Sequence, residues 1–135
     1  MMVRSILFDG VLLYIGADKV NDHQWNPFAA YAAERLDDTR KLSLPAQDTP
    51  YDILVRDGYA HILANRHEGS GSSYTVIIYR SDDLEQWRET VRFDAPSFAR
   101  SFEMSDGVYY VGLGTATSPL ADASGNVYRV VPPAP

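Results

Sequence analysis

The dipeptide Asp-Gly occurs three times in this chain, each time between two apolar runs. The copies are Asp9-Gly10, Asp57-Gly58 and Asp106-Gly107, which lie 48 and then 49 residues apart. Asp-Gly in this setting is the strongest short signal for a tight β-hairpin, because both central residues of the turn need positive φ. The sequence therefore predicts three β-hairpins that recur at a nearly constant interval.

Three tyrosines keep the same period, since Tyr31, Tyr79 and Tyr128 are again 48 and 49 residues apart. In the second unit, turn-forming residues separate strand-like segments at 51–55, 59–65, 73–80 and 89–93. A period of about 50 residues and four short antiparallel strands per unit are typical of β-propeller blades. The repeat thus indicates the fold class more strongly than it indicates any chemistry.

We predict an all-β chain with β-propeller blades at residues 1–48, 49–96 and 97–135. The first two blades should be four-stranded and antiparallel. The third should lack its outer strand, because the prolines that follow residue 131 cannot donate to a ladder. Three blades do not close a ring, since propellers use roughly four to eight. We therefore expect a partial propeller with further blades in a longer chain, or a homodimer that completes the circle.

The first unit is less regular than the second. Residues 28–36 are rich in alanine and would pass for a short helix on propensity alone. The repeat instead favours a third strand around 28–33, a turn at 36–39 and a fourth strand at 41–44.

Composition excludes several classes of function. The chain has 135 residues, no cysteine and a formal net charge of −6, which rules out thiolate metal sites and disfavours nucleic-acid binding. No apolar stretch is long enough to span a membrane. Asp9-Gly10 interrupts the first apolar run and no small-residue cleavage site follows, so we predict no signal peptide. The compartment stays open, with the cytoplasm as the default, and no cofactor is expected.

A short motif follows the third strand of the second unit: Ser81, then Asp83-Leu84, then Trp87. It resembles the blade turn of propeller glycosidases such as the arabinanase, xylosidase and invertase-like families. It is more distantly similar to the Asp-box turn of sialidases, which has Gly where Glu85 stands and Trp one place after Trp87. The resemblance implies a structural turn, in which Asp83 binds the turn backbone and Trp87 packs between blades.

Antiparallel order puts the Asp-Gly turns at one end of each blade and the entrances to the innermost strands at the other. In the resembled families, this second rim around the central axis holds the sugar. Arg4, Asp52 and Arg100 are spaced by 48 residues and are predicted to occupy the same place on the three innermost strands. Buried charges need partners, so we expect an Arg–Asp–Arg bridge between blades, a ligand, or both.

Loops that open on the same rim carry four more polar or aromatic candidates: His23, Trp25, Arg66 and His67. An aromatic ring beside polar groups suits a sugar, which has an apolar face and a hydroxyl edge. We predict that these four side chains, with Arg4 and Arg100, bind a carbohydrate or another small polar ligand. No metal site is predicted, because the two loop histidines lack a clear third ligand. His61 lies in the middle of a strand and is expected in the core.

Glycoside hydrolysis needs two carboxyl groups, about 5–5.5 Å apart for retention or about 6.5–9.5 Å for inversion. Asp52 is the candidate catalytic residue, because a catalytic Asp stands near an innermost-strand entrance in the resembled families. A second carboxylate is not identified, since Asp94 lies too far from the third Asp-Gly pair and Glu103 should point away from Arg100. The predicted function is saccharide binding or glycoside-hydrolase-like chemistry at the axial rim, with catalysis left open. The alternative is a non-catalytic propeller module that binds a protein or glycan partner.

Overall fold

The computed structural model describes residues 2–17, 19–21, 24–25, 28–35, 38–45, 48–67, 73–114 and 125–133. These residues form thirteen β-strands and no α-helix. The strands are β1 Met2–Phe8, β2 Val11–Gly16, β3 Lys19–Asn21, β4 Gln24–Trp25, β5 Ala29–Arg35, β6 Asp38–Lys41, β7 Thr49–Arg56, β8 Tyr59–His67, β9 Tyr74–Ser81, β10 Arg88–Ala95, β11 Ala99–Ser105, β12 Val108–Leu113 and β13 Val127–Val130.

Eleven of the strands form three consecutive antiparallel sheets. Blade 1 has the order β1-β2-β5-β6, blade 2 the order β7-β8-β9-β10, and blade 3 the order β11-β12-β13. Apart from the β3–β4 pair, which lies between β2 and β5, strands that neighbour each other in sequence pair within each sheet, which is the build of a propeller blade. The predicted fold class of all-β propeller blades is confirmed. In the part of the chain that the structure describes, no helix is long and apolar enough to cross a membrane.

The three Asp-Gly pairs form the predicted hairpin turns. Asp9, Asp57 and Asp106 have φ angles of 47°, 56° and 51°, and the glycine that follows each also has positive φ. Two successive positive φ values define a type I′ turn, which matches the right-handed twist of the strands on either side. The tyrosine period is confirmed too, because Tyr31, Tyr79 and Tyr128 pair with Tyr14, Ile62 and Val111 at the same position of each sheet.

Of the two strand predictions for the second half of the first blade, one is confirmed and one is wrong. The segment at 28–33 is a strand, because β5 pairs with both β2 and β6 in spite of its alanines. The predicted fourth strand at 41–44 is wrong, since β6 lies earlier, at Asp38–Lys41. After Leu42, whose N–H still donates to the carbonyl of Ala30, the chain leaves the sheet to reach blade 2. The loop between β2 and β5 also contains the β3–β4 hairpin, which the sequence did not predict.

Apolar side chains fill the space between successive blades. Between blades 1 and 2 the fully buried side chains include Leu13, Ile15, Ile53 and Ile62. Between blades 2 and 3 they include Leu63, Val76, Ile78 and Val111. Blade 2 therefore buries both of its faces, whereas blades 1 and 3 each bury one.

The motif at Ser81 forms the structural turn that the resemblance implies. Asp83 Oδ1 accepts hydrogen bonds from the N–H groups of Glu85 and Gln86, both at 2.9 Å. These bonds favour the ionised carboxylate and hold the pKa of Asp83 below its usual value. Leu84 takes a φ of 64° and is buried, and Trp87 packs against the apolar cluster between blades 1 and 2.

His61 is a core residue, as predicted, with 2% of its surface exposed. Its Nδ1 lies 2.9 Å from the hydroxyl of Tyr109 on blade 3, and that hydroxyl lies 3.2 Å from Thr90 Oγ1. Burial disfavours the charged imidazolium and lowers the pKa of His61 to about 4.

His61 should make stability depend on pH between about 6.5 and 4. In this window the unfolded chain binds a proton that the folded chain excludes, so the stability of the fold decreases as the pH is lowered. A shift of this size corresponds to about 3 kcal/mol. In His61→Gln the amide can still bond to Tyr109 but does not titrate. The stability advantage of the wild type over this variant should therefore shrink as the pH is lowered from 7 to 4 in urea denaturation experiments. Parallel pH profiles for the two proteins would contradict this assignment.

Candidate functional site

The innermost strands of the three blades lie together, with β7 between β1 and β11. Each of them has an irregularity in register near its start: between Met2 and Arg4, between Pro50 and Asp52, and between Ala99 and Ser101. Such bulges insert one extra residue and bend the strand. A β-bulge thus lies near the start of all three innermost strands, at one rim.

The predicted alignment of Arg4, Asp52 and Arg100 is wrong by one residue in blade 3. Arg4 pairs with Ile15 and Asp52 pairs with Leu63, whereas the equivalent pair in blade 3 is Ser101 with Gly112. Arg100 falls within the bulge. The cause is the longer second repeat, which places the third Asp-Gly pair 49 residues after the second.

Asp52 joins all three blades. Its Oδ1 accepts from Nε of Arg4 on blade 1 at 3.0 Å, and from its neighbouring N–H at Ile53 at 2.9 Å. Its Oδ2 accepts from the main-chain N–H of Phe102 on blade 3 at 3.1 Å. The carboxylate is buried, while the side chain of Arg4 is 49% exposed. Of the predicted Arg–Asp–Arg bridge, the structure contains the Arg4–Asp52 half, and Phe102 N–H takes the place of Arg100.

These contacts bear on the catalytic role predicted for Asp52, which stays a prediction. Three donors already occupy a carboxylate that has about four acceptor positions, so little of it is left to act on a substrate. The two other carboxylates considered for hydrolysis are also engaged. Glu103 pairs with Arg56 at 2.7 Å, and Asp94, on the outermost strand of blade 2, accepts from Thr75.

A second contact between blades 2 and 3 uses the amide side chain of Asn65. Its Nδ2 donates to the carbonyl of Ala99, and the N–H of Ala99 donates to its Oδ1, both at 2.8 Å. Asn65 is 4% exposed. The side chain thus pairs with a main-chain edge of β11 in the way that a neighbouring strand would.

Arg66 pairs with Asp48, a residue that sequence reasoning did not select. Two guanidinium nitrogens donate to the carboxylate at 2.8 and 3.2 Å, and this contact raises the pKa of Arg66. The hydroxyl of Tyr79 also donates to Asp48. Burial and this hydrogen bond raise the pKa of Tyr79. Asp48 thereby anchors the segment between blades 1 and 2.

An aromatic group lies at the rim between blades 2 and 3, and sequence reasoning found only one of its members, His67. The rings of Tyr51 and Phe98 are 5.2 Å apart, those of Phe98 and Tyr74 are 6.1 Å apart, and His67 stacks on Tyr74 at 4.6 Å. Tyr51 and Tyr74 are half-buried, and burial raises the pKa of Tyr51. We call Tyr51, Tyr74, Phe98 and His67 the rim aromatic group.

Arg100 lies next to this group. A Cβ built on Gly114 would lie 2.9 Å from Cζ of Phe98 and 3.3 Å from Cβ of Arg100, so both residues approach the same glycine closely. Arg100 is exposed, and across the described ranges no carboxylate pairs with it. The rim thus combines half-buried aromatic rings with a cation that no carboxylate neutralises.

Two predicted site residues are not tested by this geometry. His23 lies outside the described residues, and Trp25 is placed only as a main-chain member of β4. Among the residues that are described, no group of three or more His, Asp or Glu side chains could hold a metal ion.

No protein-family model matches the sequence, and no curated protein matches it. Among solved structures, the chain is similar to a mutant of the GH32 β-fructofuranosidase of Bombyx mori in complex with sucrose, at 12% identity and a TM-score of 0.47. The match covers 93% of this chain and 32% of that one, so this chain spans about a third of that length. At this TM-score the similarity carries no inference. The fold described above rests on the strand order and register of the chain itself.

Asp52 and Arg4 should differ sharply in their contribution to stability. Asp52→Ala leaves the N–H of Phe102 and the Arg4 guanidinium without their acceptor, so we expect a loss of about 3 kcal/mol. Arg4→Ala removes one half-exposed ion pair and should cost less than about 1 kcal/mol. Urea denaturation of the two variants measures both values. Equal losses would show that the ion pair, rather than the bond to blade 3, is the main interaction of Asp52.

Proposed function

We propose that this chain is a saccharide-binding part of a β-propeller, with the sugar held at the rim where the innermost strands begin. The observation that carries the proposal is the rim aromatic group beside Arg100. A sugar offers an apolar ring face to aromatic side chains and a hydroxyl edge to polar ones. Half-buried rings with a few convergent polar groups are the usual lining of a small-molecule site.

The polar edge of this site would come from Arg100 and from the exposed part of Arg4. Arg4 uses Nε for Asp52 and has 49% of its side chain exposed. Arginine presents five N–H donors in a fixed fork, so the remaining donors are free to bind hydroxyl groups. Arg66 would act indirectly, because its contact with Asp48 holds the end of β8, where His67 is the last residue.

We infer binding rather than hydrolysis. Glycoside hydrolysis needs a pair of carboxyl groups on either side of the scissile bond. Among the residues that the structure describes at this rim, the carboxylates of Asp52 and Asp48 are both buried and bonded to arginines, and each also accepts from a further donor. Their contacts support roles in joining blades.

Removal of the rim groups should weaken sugar binding without unfolding the chain. A glycan array identifies the best ligand, and isothermal titration then compares wild type with Tyr51→Ala and Arg100→Ala. Each variant should bind about tenfold more weakly, since each loses one ring contact or one charged donor. Arg100 is exposed, so its variant should keep the melting temperature of the wild type.

Asp83→Ala is the matched control, because Asp83 lies in a turn at the opposite end of blade 2. It should lower the melting temperature by removing the turn bonds and leave the affinity for sugar unchanged. Chromogenic glycosides should remain uncleaved. An array without any bound glycan, or an equal loss of affinity in Asp83→Ala and Tyr51→Ala, would overturn the proposal.

The second candidate function is a non-catalytic module that binds a protein partner, and the outer faces of blades 1 and 3 favour it. Four large apolar side chains are exposed there: Leu7, Tyr110, Val127 and Val131, at 67%, 38%, 65% and 59%. Contiguous exposed apolar surface marks association surfaces, and Tyr110 and Val127 lie on neighbouring strands of blade 3. A blank glycan array together with self-association in light scattering would support this function over the first.

A further inference from the structure

A cavity of about 780 Å³ lies between blades 1 and 2 and shares no residue with the rim aromatic group. Residues 28–31, 41–44 and 48–50 line it, so its walls come from the start of β5, the segment that follows β6, and the start of β7. Its volume falls in the range of about 300–1,000 Å³ that is usual for small-molecule sites.

The lining of the cavity mixes apolar and hydroxyl-bearing side chains. Phe28, Leu44 and Pro50 supply apolar surface, and Ser43 and Thr49 supply hydroxyl groups. The N–H of Leu42 still donates to blade 1, but the main chain at 43–44 is not paired in the ladder between β5 and β6. This combination suits a ligand with both an apolar face and a hydroxyl edge.

The charge of the cavity is set by Lys41. The other ionised lining residue, Asp48, has 1% of its side chain exposed and is neutralised by the bidentate contact with Arg66. Lys41 ends β6, is exposed, and has no carboxylate partner in the described part of the chain. Arg4, Arg40 and Arg56, by contrast, all pair with carboxylates.

The net charge of the chain is −6, and Lys41 supplies a positive charge to this cavity. Such a cation attracts a negative group and excludes other cations. A carboxylate on the ligand would form a charge-assisted hydrogen bond with the Lys41 ammonium, which is roughly twice as strong as a neutral one.

We propose that this cavity binds an acidic saccharide, a short oligosaccharide that carries a carboxylate, and that Lys41 pairs with that carboxylate. The site shares no residue with the rim aromatic group and does not depend on sugar binding there. Its apolar walls contact the ring faces, and the hydroxyl groups of Ser43 and Thr49 bind the ring hydroxyls.

Isothermal titration with digalacturonate and with cellobiose, a neutral disaccharide, tests the proposal on the full chain. The wild type should bind digalacturonate and not cellobiose at the same concentrations, and added NaCl should weaken the binding. Lys41→Met keeps the length of the side chain and removes its charge, so the affinity should fall at least about tenfold. Lys41→Arg should retain it. Lys41 is exposed on an edge strand, so all three proteins should have equal melting temperatures.

Arg129→Met is the control, because Arg129 is an exposed cation on blade 3, and it should bind digalacturonate as the wild type does. The proposal is overturned if digalacturonate does not bind, if both disaccharides bind equally, or if Lys41→Met keeps the affinity. It is also overturned if Arg100→Ala, rather than Lys41→Met, abolishes binding, since the acidic sugar would then occupy the rim. Tyr51→Ala tests the rim independently and should leave the affinity for digalacturonate unchanged.

Discussion

Main-chain groups on the free edge of β11 are bound by side chains of blade 2. The innermost strand of a blade has no neighbour on its axial side, so alternate N–H and C=O groups lack ladder partners there. Asn65 pairs with both main-chain groups of Ala99, and Asp52 accepts the N–H of Phe102. Arg4 then binds the same carboxylate from blade 1. The three sheets share no ladder of hydrogen bonds. A few buried hydrogen bonds therefore fix their relative positions, and apolar contacts between the sheets bury most of the surface.

This arrangement decides which charged groups near the axis are available to a ligand. Asp52 and Asp48 hold blades and connecting segments in place, and their arginine partners share that role. In the part of the chain that the structure describes, Arg100 near the axis and Lys41 in the cavity between blades 1 and 2 have no carboxylate partner of this kind. Both proposed sites would therefore bind through positive charge and apolar surface, and this supports the proposal of ligand binding without hydrolysis.

The sequence predicted the parts of the structure that depend on local rules. Asp-Gly specifies a turn through backbone conformation, and the tyrosine period marks one register position, so the three blades and their Asp-Gly hairpins followed from spacing alone. Arg100 was misplaced because a constant step of 48 residues was applied to a repeat whose second step is 49, as the Asp-Gly spacing shows, so Ser101 takes the place equivalent to Arg4 and Asp52. The contacts of Asn65 and Asp48 were not predicted because the repeat breaks there: Ala17 and Gly114 occupy the positions equivalent to Asn65. Tyr51 and Phe98 could equally be buried core residues as far as the sequence shows. Only the structure, which places each of them at or next to a bulge, shows that they lie at the rim.

Amide hydrogen exchange at Phe102 tests the central claim most directly. Its N–H donates to a side-chain carboxylate on another blade, so it should be protected in the wild type although no main-chain carbonyl accepts it. In Asp52→Ala, under conditions where the chain stays folded, Phe102 should exchange much faster, whereas Leu113, whose N–H donates to the carbonyl of Asn126, should keep its protection. A Phe102 amide that exchanges at the same rate in both proteins would contradict the account.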